Sequence, residues 1–387
     1  MRYQPNNQIT LLINGTDYFP ALLRAIDAAR EEIFLESYLF EADVTGRQVS
    51  ARLMRAARRG VRVQLLIDGF GAGDLPWSLR RSFARAGVRL LFFRPEVSRL
   101  SLKRQRLRRM HRKLAAIDNR IGFVGGINIL DDIDQPDWPP RYDYALRIEG
   151  PLAAELRLAA VKLWRQECWR QLKRDWSRLP RRMTLPPPAG EVSAALVIRD
   201  NFRHRRAIEN AYLDAIRQAR HEIVLANAYF LPGRSFRAAL VAAAQRGVRV
   251  VVLLQGQVDN PLIHYATRDL YRHLVDAGVE IHEYVKGLMH AKVAVIDRLW
   301  VTVGSSNIDP FSLMLAREAN VVVQHAPLAA ELRKDLQRAI ESDCQQVVPA
   351  SLVKAPWWRR LVPWCAYLLV RLLMEMTGYG HREYREE

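Results

Sequence analysis

His111-Arg112-Lys113-Leu114-Ala115-Ala116-Ile117-Asp118 occurs a second time as His290-Ala291-Lys292-Val293-Ala294-Val295-Ile296-Asp297. After six more residues each copy reaches a small-residue turn ending in asparagine, Gly125-Gly126-Ile127-Asn128 and Gly304-Ser305-Ser306-Asn307. The apolar, partly β-branched runs Leu114–Ile117 and Val293–Ile296 read as strands. Residues i and i+2 share a face of an extended chain. His111 and Lys113 therefore project together, as do His290 and Lys292. Asp118 and Asp297 fall where the apolar run breaks before resuming. This reads as a hairpin turn whose hydrogen bonds the aspartates organise. The Gly/Ser-rich run before each asparagine allows close backbone approach to a phosphate. Two imidazoles, two ammonium groups and two amides, in matching copies, suit phosphodiester chemistry without a metal.

The duplication reaches well beyond the motif. Ala29-Arg30-Glu31-Glu32-Ile33-Phe34-Leu35 matches Ala219-Arg220-His221-Glu222-Ile223-Val224-Leu225. Arg59-Gly60-Val61-Arg62-Val63 matches Arg246-Gly247-Val248-Arg249-Val250, and Ala86-Gly87-Val88 matches Ala277-Gly278-Val279. Each half reads as helix and strand in alternation, then the motif hairpin. Ile33–Leu35 and Val61–Ile67 are expected strands, and Gln48–Arg59 an expected helix ending at Gly60. Alternation of this kind predicts an α/β fold with two pseudo-symmetric domains, each a mixed sheet flanked by helices. The Pro-rich stretch 179–191 reads as a linker between domains 1–178 and 192–349. One imidazole cannot be both nucleophile and acid for the same bond. The active site is therefore expected at the interface of the two domains.

Lys plus Arg number 59 against 41 Asp plus Glu, a formal charge of +18, and only 8 of the 59 are lysine. This balance favours anionic partners, either nucleic acid or acidic lipid surfaces. Cys168, Cys344 and Cys365 are scattered and odd in number, which fits neither a disulfide framework nor a zinc site. The N-terminus reads as neither a signal peptide nor a membrane anchor.

Two segments break the repeat. Gly87 and His111 are 24 positions apart, against 12 for Gly278 and His290. The extra residues fall in a basic run, Arg99–Lys113, with eight Lys/Arg and no acid, interleaved with Leu100, Leu102, Leu107 and Met110. We expect this run to act as a lid that attracts lipid headgroups. Residues 350–387 are expected to form an amphipathic, membrane-associating tail. Trp357-Trp358-Arg359-Arg360 there precedes the apolar stretch Leu361–Met376, which is short for a bilayer span and suits an interfacial helix.

On these motifs the chain resembles the phospholipase D superfamily, over about residues 10 to 350. It is most similar to bacterial cardiolipin synthases of the type without N-terminal transmembrane helices. That narrower resemblance rests on Glu36-Ser-Tyr38-Leu-Phe40-Glu-Ala-Asp43, Asp68-Gly69-Phe-Gly71, Met110-His111-Arg-Lys113, Tyr142-Asp143 and Asn307-Ile-Asp309-Pro310. The resemblance implies phosphatidyl transfer from one phosphatidylglycerol to another, giving cardiolipin and glycerol through a covalent phosphohistidine, with no cofactor and no metal. It implies His111 as nucleophile and His290 as acid/base. Lys113, Lys292, Asn128 and Asn307 would stabilise charge on the phosphoryl oxygens, and Asp118 and Asp297 complete the motif. Asp143 would orient His111, and Glu318 would orient His290. The implied partners are phosphatidylglycerol and an anionic membrane surface, with the protein peripheral on the cytoplasmic side of the cell inner membrane. The alternatives are a hydrolytic phospholipase D, transfer between another donor and acceptor, and a nuclease of the same superfamily. A nuclease would explain the charge but leaves the Trp/Arg-flanked apolar tail without a role. A non-catalytic binding protein is disfavoured by the intact motifs.

Overall fold

The computed structural model describes residues 1–95, 108–131, 139–178, 185–201, 203–258 and 261–348. The expected lid falls largely on 96–107 and the expected interfacial tail on 349–387; both lie outside the described residues. The chain packs as two compact units. The first holds Met1–Ile198 together with Val303–Ser305 and Ala316–Gln324; the second holds Arg199–Thr302, Ser306–Leu315 and the chain from His325 on.

In chain order the first repeat runs β1 (Gln4–Ile13), α1 (Asn14–Ala28), β2 (Glu32–Ser37), α2 (Val44–Arg58), β3 (Arg62–Asp68), α3 (Trp77–Ala86) and β4 (Arg89–Phe93). It continues with β5 (Leu114–Ile117), β6 (Ile121–Gly125), β7 (Tyr144–Glu149) and α4 (Pro151–Arg170). The second runs β8 (Val192–Arg199), α5 (Ala207–Gln218), β9 (Glu222–Asn227), α6 (Arg234–Gln245), β10 (Arg249–Gln255), α7 (Pro261–Asp276) and β11 (Glu280–Tyr284). It ends with β12 (Lys292–Ile296), β13 (Trp300–Gly304), α8 (Pro310–Met314), β14 (Glu318–Gln324), α9 (Ala326–Asp343) and β15 (Cys344–Gln346).

The sheet of the first unit has the order β14-β8-β1-β7-β6-β5-β2-β3-β4. β2, β3 and β4 are parallel, joined by crossover helices, whereas β5, β6 and β7 form an antiparallel meander and β5 lies antiparallel to β2. In the second unit β15-β11-β10-β9-β12-β13 repeats the scheme, with β9, β10 and β11 parallel and β12 antiparallel to β9. Each sheet is thus mixed, as expected. In the first unit Leu22 and Ile26 of α1, Val49 and Leu53 of α2, and Phe83 of α3 pack in one cluster with Ile33, Leu35, Val63, Leu65 and Ile67. These strand positions are alternate, so they share one face of the sheet. α4 packs against β5 and β6, and Leu156 fills the space above Gly122.

Local chemistry explains the boundaries. Helix α2 begins four residues before the expected Gln48, because the Asp43 carboxylate accepts from the Gly46 amide at 2.7 Å and caps it. It stops ahead of Gly60, whose φ of +91° suits only glycine; Gly247 (+85°) does the same in the second repeat. Arg59 donates to the carbonyls of Ile26, Asp27 and Ala29, and Arg246 to those of Ile216, Arg217 and Ala219. Each arginine therefore satisfies the last carbonyls of a neighbouring helix. Glu32 is held by Arg157 and Arg62, and Glu222 by Arg333 and Arg249. Among the strands that went unread in the sequence are β1 and β8. Both are antiparallel partners recruited over long chain separations, and both alternate polar with apolar residues only loosely.

Candidate active site

The hairpin turns lie where the aspartates predicted them. Asp118 and Asn119, and Asp297 and Arg298, all have φ between +50° and +55°, the backbone of a two-residue hairpin turn. The Asp118 carboxylate accepts from the amides of Arg30, Glu31 and Glu32 at 2.8–2.9 Å. Asp297 does the same with Arg220, His221 and Glu222 at 2.8–3.0 Å. Burial alone would raise the Asp297 carboxyl, but these three amides outweigh it and hold the group below its usual range. Both aspartates therefore tie the far end of the motif strand to the start of its neighbour. They do not join the histidine and lysine.

At the other end of β5 the chain enters extended. Met110 makes a parallel bridge to Arg317; the His111 amide donates to the Arg317 carbonyl (2.9 Å), and the Arg317 amide to the Arg109 carbonyl (2.8 Å). This clasp brings Glu318 to His111. The imidazole Nδ1 lies 2.9 Å from Glu318 Oε1 and 3.2 Å from the Ser305 carbonyl oxygen, and Ser305 Oγ donates to Glu318 Oε2 at 2.5 Å. Glu318 is fully buried. Two acceptors on Nδ1 select the tautomer protonated there, which leaves the Nε2 lone pair for an electrophile. The Tyr38 ring packs edge-on against the imidazole, centroids 5.0 Å apart, and Lys113 Nζ lies 5.3 Å from the same ring. Lys113 Nζ also donates to the His111 carbonyl at 2.7 Å. Asn128 Oδ1 accepts from the Leu39 amide (3.1 Å), and no protein acceptor faces its NH2 group among the described residues.

The orienting carboxylate corrects the sequence reading. Asp143 was expected on His111 and Glu318 on His290, yet Glu318 is the group on His111. The reason is topological: Ala316–Gln324 packs with the first unit, so β14 delivers its leading carboxylate there. Asp143 occupies the same strand register as Glu318. Gly126 donates to the Tyr144 carbonyl and Ser305 to that of Ala319, one residue after Asp143 and Glu318 respectively. The Asp143 carboxylate accepts from the Tyr144 amide (2.8 Å). A Cβ at Gly126 would come within 2.2 Å of Asp143 Oδ1, so glycine there makes room for it.

The second motif repeats the internal contact: Lys292 Nζ donates to the His290 carbonyl. Lys292 is completely buried and pairs across the strands with Asn227. Asn227 Oδ1 accepts from the Ile308 amide (3.0 Å), which fixes the chain next to Asn307. The Asn307 side-chain oxygen and the Asn227 side-chain nitrogen are buried without hydrogen-bond partners among the described residues.

Sequence reasoning missed two buried ion pairs behind the first motif. Asp68 accepts from the amides of Met110 (2.9 Å), Phe70 (2.9 Å) and Gly71 (3.2 Å) and from Arg109 Nη1 (3.3 Å). Glu36 Oε1 accepts from Arg112 Nη2 at 2.6 Å, and both side chains are 3% exposed. Burial pushes both carboxyls up, against the pull of their arginines. The Tyr38 phenol is pushed up to about 12 by burial and by the Asp68 charge. The available signal was the repeat itself, because the equivalent second-repeat residues are neutral: Gln255 for Asp68, Leu288 for Arg109, Ala226 for Glu36 and Ala291 for Arg112. Among the described residues no group of three His, Cys, Asp or Glu side chains is placed to hold a metal ion.

A family model described as "Cardiolipin synthase, PLD-like domain" matches residues 22–156 and again 212–340. The chain is 38% identical to Cardiolipin synthase B of Escherichia coli (strain K12), covering 97% of this chain and 91% of that one. It is 31% identical to Cardiolipin synthase A of Cronobacter sakazakii, covering 95% and 76%. The crystal structure of phosphatidylserine synthase from Haemophilus influenzae Rd KW20 superposes with a TM-score of 0.69 at 13% identity, covering 97% of this chain and 94% of that one. That last likeness speaks to the fold alone.

Proposed function

The chain belongs to the phospholipase D-like cardiolipin synthase family, and we infer that it is a cardiolipin synthase, a phosphatidyltransferase that converts two phosphatidylglycerol molecules into cardiolipin and glycerol. The observation that carries the mechanism is the buried Glu318 on His111 Nδ1. A carboxylate there holds the nucleophilic tautomer and offsets the positive charge the ring gains on attack. His111 Nε2 attacks the donor phosphorus, a P–N bond forms, and the P–O bond to the departing glycerol breaks. His290 gives that oxygen a proton. It then takes one from the acceptor hydroxyl, whose oxygen attacks phosphorus and breaks the P–N bond. Lys113, Lys292, Asn128 and Asn307 offset charge on the non-bridging oxygens, the part a divalent cation plays in other phosphoryl transfers. Asp143, the repeat-equivalent of Glu318, is assigned as the second orienting carboxylate.

Each repeat, 1–178 and 192–349, contributes one motif. The excess of 59 Lys/Arg over 41 Asp/Glu supports an anionic bilayer as the working surface. We assign the protein to the periphery of the inner membrane, on its cytoplasmic side, held in part by 350–387. No described helix is long and apolar enough to cross a membrane. Mass spectrometry of purified protein incubated with phosphatidylglycerol vesicles and EDTA tests the reading. Cardiolipin and glycerol are expected from wild type and not from His111→Ala or His290→Ala. Phosphatidic acid in place of cardiolipin would make the enzyme a hydrolase, and loss of turnover in EDTA would overturn metal independence.

A further inference from the structure

The first compact unit gathers a group of arginines, four from the first repeat and Arg317 from the second. Three guanidinium carbons surround the ring of Phe93 at the end of β4: Arg94 at 5.5 Å, Arg170 at 5.7 Å and Arg317 at 5.8 Å from its centroid. Arg109 lies 5.4 Å from the Phe70 ring and is paired with Asp68. Burial, then the neighbouring charges of Arg170, Arg108 and Arg109, push the Arg94 guanidinium down to about 10, and Glu167 opposes them. Glu167 itself is 3.3 Å from Arg170. Arg170, Arg108 and Arg109 thus act on Arg94, and Arg317 shares the Phe93 ring with it, beside two carboxylates, Asp68 and Glu167. In the second repeat Val285 stands for Arg94 and Leu288 for Arg109.

Histidines and lysines supplied in matching copies, beside arginines gathered behind the first motif only, suit a reaction with one more anion on one side than the other. We propose that the Arg94, Arg108, Arg109, Arg170 and Arg317 group holds the phosphodiester of the acceptor lipid, the phosphate that is not transferred. This rests on the cardiolipin-forming reading above and deepens it by naming what selects the acceptor. In the product two phosphorus atoms are joined through one glycerol, which spans roughly 6–8 Å at ordinary bond lengths. Arg109 stands two residues from His111 on extended chain, about 7 Å along the backbone. Arg317 neighbours Glu318, which holds the His111 ring. Arg109 and Arg317 therefore tie the group to the chain that carries His111 and its orienting carboxylate. Guanidinium forks match the paired oxygens of a phosphodiester, which an ammonium group does not.

The test gives full-length protein phosphatidylglycerol vesicles and isotope-labelled glycerol. Label entering phosphatidylglycerol reports transfer to an acceptor without phosphate; cardiolipin reports transfer to an acceptor with one. Both pass through the same donor and the same covalent intermediate. In Arg94→Gln and in the milder Arg170→Gln, whose side chain is 43% exposed, the ratio of cardiolipin to labelled phosphatidylglycerol is expected to fall about tenfold. The surface fraction of acceptor needed for half-maximal cardiolipin formation should rise with it, and Arg94→Lys should recover part of the ratio. A ratio that stays at the wild-type value, whether both products persist or fall together, overturns the proposal. Wild-type protein that exchanges glycerol and makes no cardiolipin removes the cardiolipin reading itself, and the proposal with it.

Discussion

The two repeats share a skeleton and differ behind their motifs. Arg59 and Arg246 close the same helix ends, Arg157 and Arg333 hold the same glutamates, and Asp118 and Asp297 gather the same three amides. Behind the first motif, however, stand two buried ion pairs, Asp68–Arg109 and Glu36–Arg112. The second has Gln255, Leu288, Ala226 and Ala291 there. A hairpin that needs no charge behind it in one copy does not need it for folding in the other. The first repeat's ion pairs are therefore better explained by the fixed placement they give His111. Met110, next to it, donates its amide to Asp68.

The largest effect is expected at the two orienting carboxylates. Glu318→Gln should lower turnover about ten-thousandfold with the melting temperature unchanged, by analogy with the aspartate of a serine protease triad. Asp143→Asn should do the same if its register equivalence to Glu318 extends to function. Near-normal turnover in either variant, measured as cardiolipin formed, would remove that residue from the site.

Next in size is the buried pair behind the first motif. Arg112→Met leaves the Glu36 carboxylate buried without its guanidinium, and should destabilise the protein by about 3 kcal/mol in urea unfolding. Glu36→Leu with Arg112→Met makes this position neutral, as it is in the second repeat, and should recover at least half of that loss. A double variant less stable than the single one would show that the pair is needed for folding after all, and the contrast between the repeats would fail.

Acid should separate the two repeats further. Glu222 is held below its usual range first by the Arg333 hydrogen bond, and Asp297 by its three amides against the opposing effect of burial. Groups depressed in the folded state contribute stability that is present above their unfolded pKa and lost as pH falls through the folded one. Glu36 and Asp68 are raised by burial, so their contribution runs the other way and is lost as pH rises above the unfolded carboxylate range, about pH 4. On stepping from pH 7 to below about 4, protection against hydrogen exchange, taken relative to the intrinsic rate at each pH, should therefore fall first at the amides of Arg220, His221 and Glu222. Earlier loss of protection around β2 and β3 of the first repeat would contradict this.

Much of this was legible in the sequence because local rules governed it. The Asp118 and Asp297 turns, the stop before Gly60 and the strands β2 and β3 follow from residue type and spacing. Three things were not legible, for one common reason. β1 and β8 are strands because of partners far along the chain. Glu36 and Arg112 are 76 positions apart, and Asp68 and Arg109 are 41 apart. The exchange of orienting carboxylates was hidden because Asp143 and Glu318 hold the same register in their own repeats. Only the packing of Ala316–Gln324 with the first unit decides which histidine Glu318 serves.

The smallest expected effects come from swapping a residue in contact with those carboxylates that differs between the repeats, Gly126 against Ser305. Gly126→Ser places a Cβ 2.2 Å from Asp143 Oδ1, so a backbone or carboxylate shift is required and about 2 kcal/mol of stability should be lost. The reciprocal Ser305→Gly removes the hydroxyl that donates to Glu318 Oε2. It leaves the Nδ1 contact through Oε1 in place, so stability should fall by about 1 kcal/mol and turnover only a fewfold. If Ser305→Gly instead matched Glu318→Gln in turnover, the serine hydroxyl and not the carboxylate alone would be setting the His111 tautomer. The role given to Asp143, which has glycine at that place, would then have to be argued afresh.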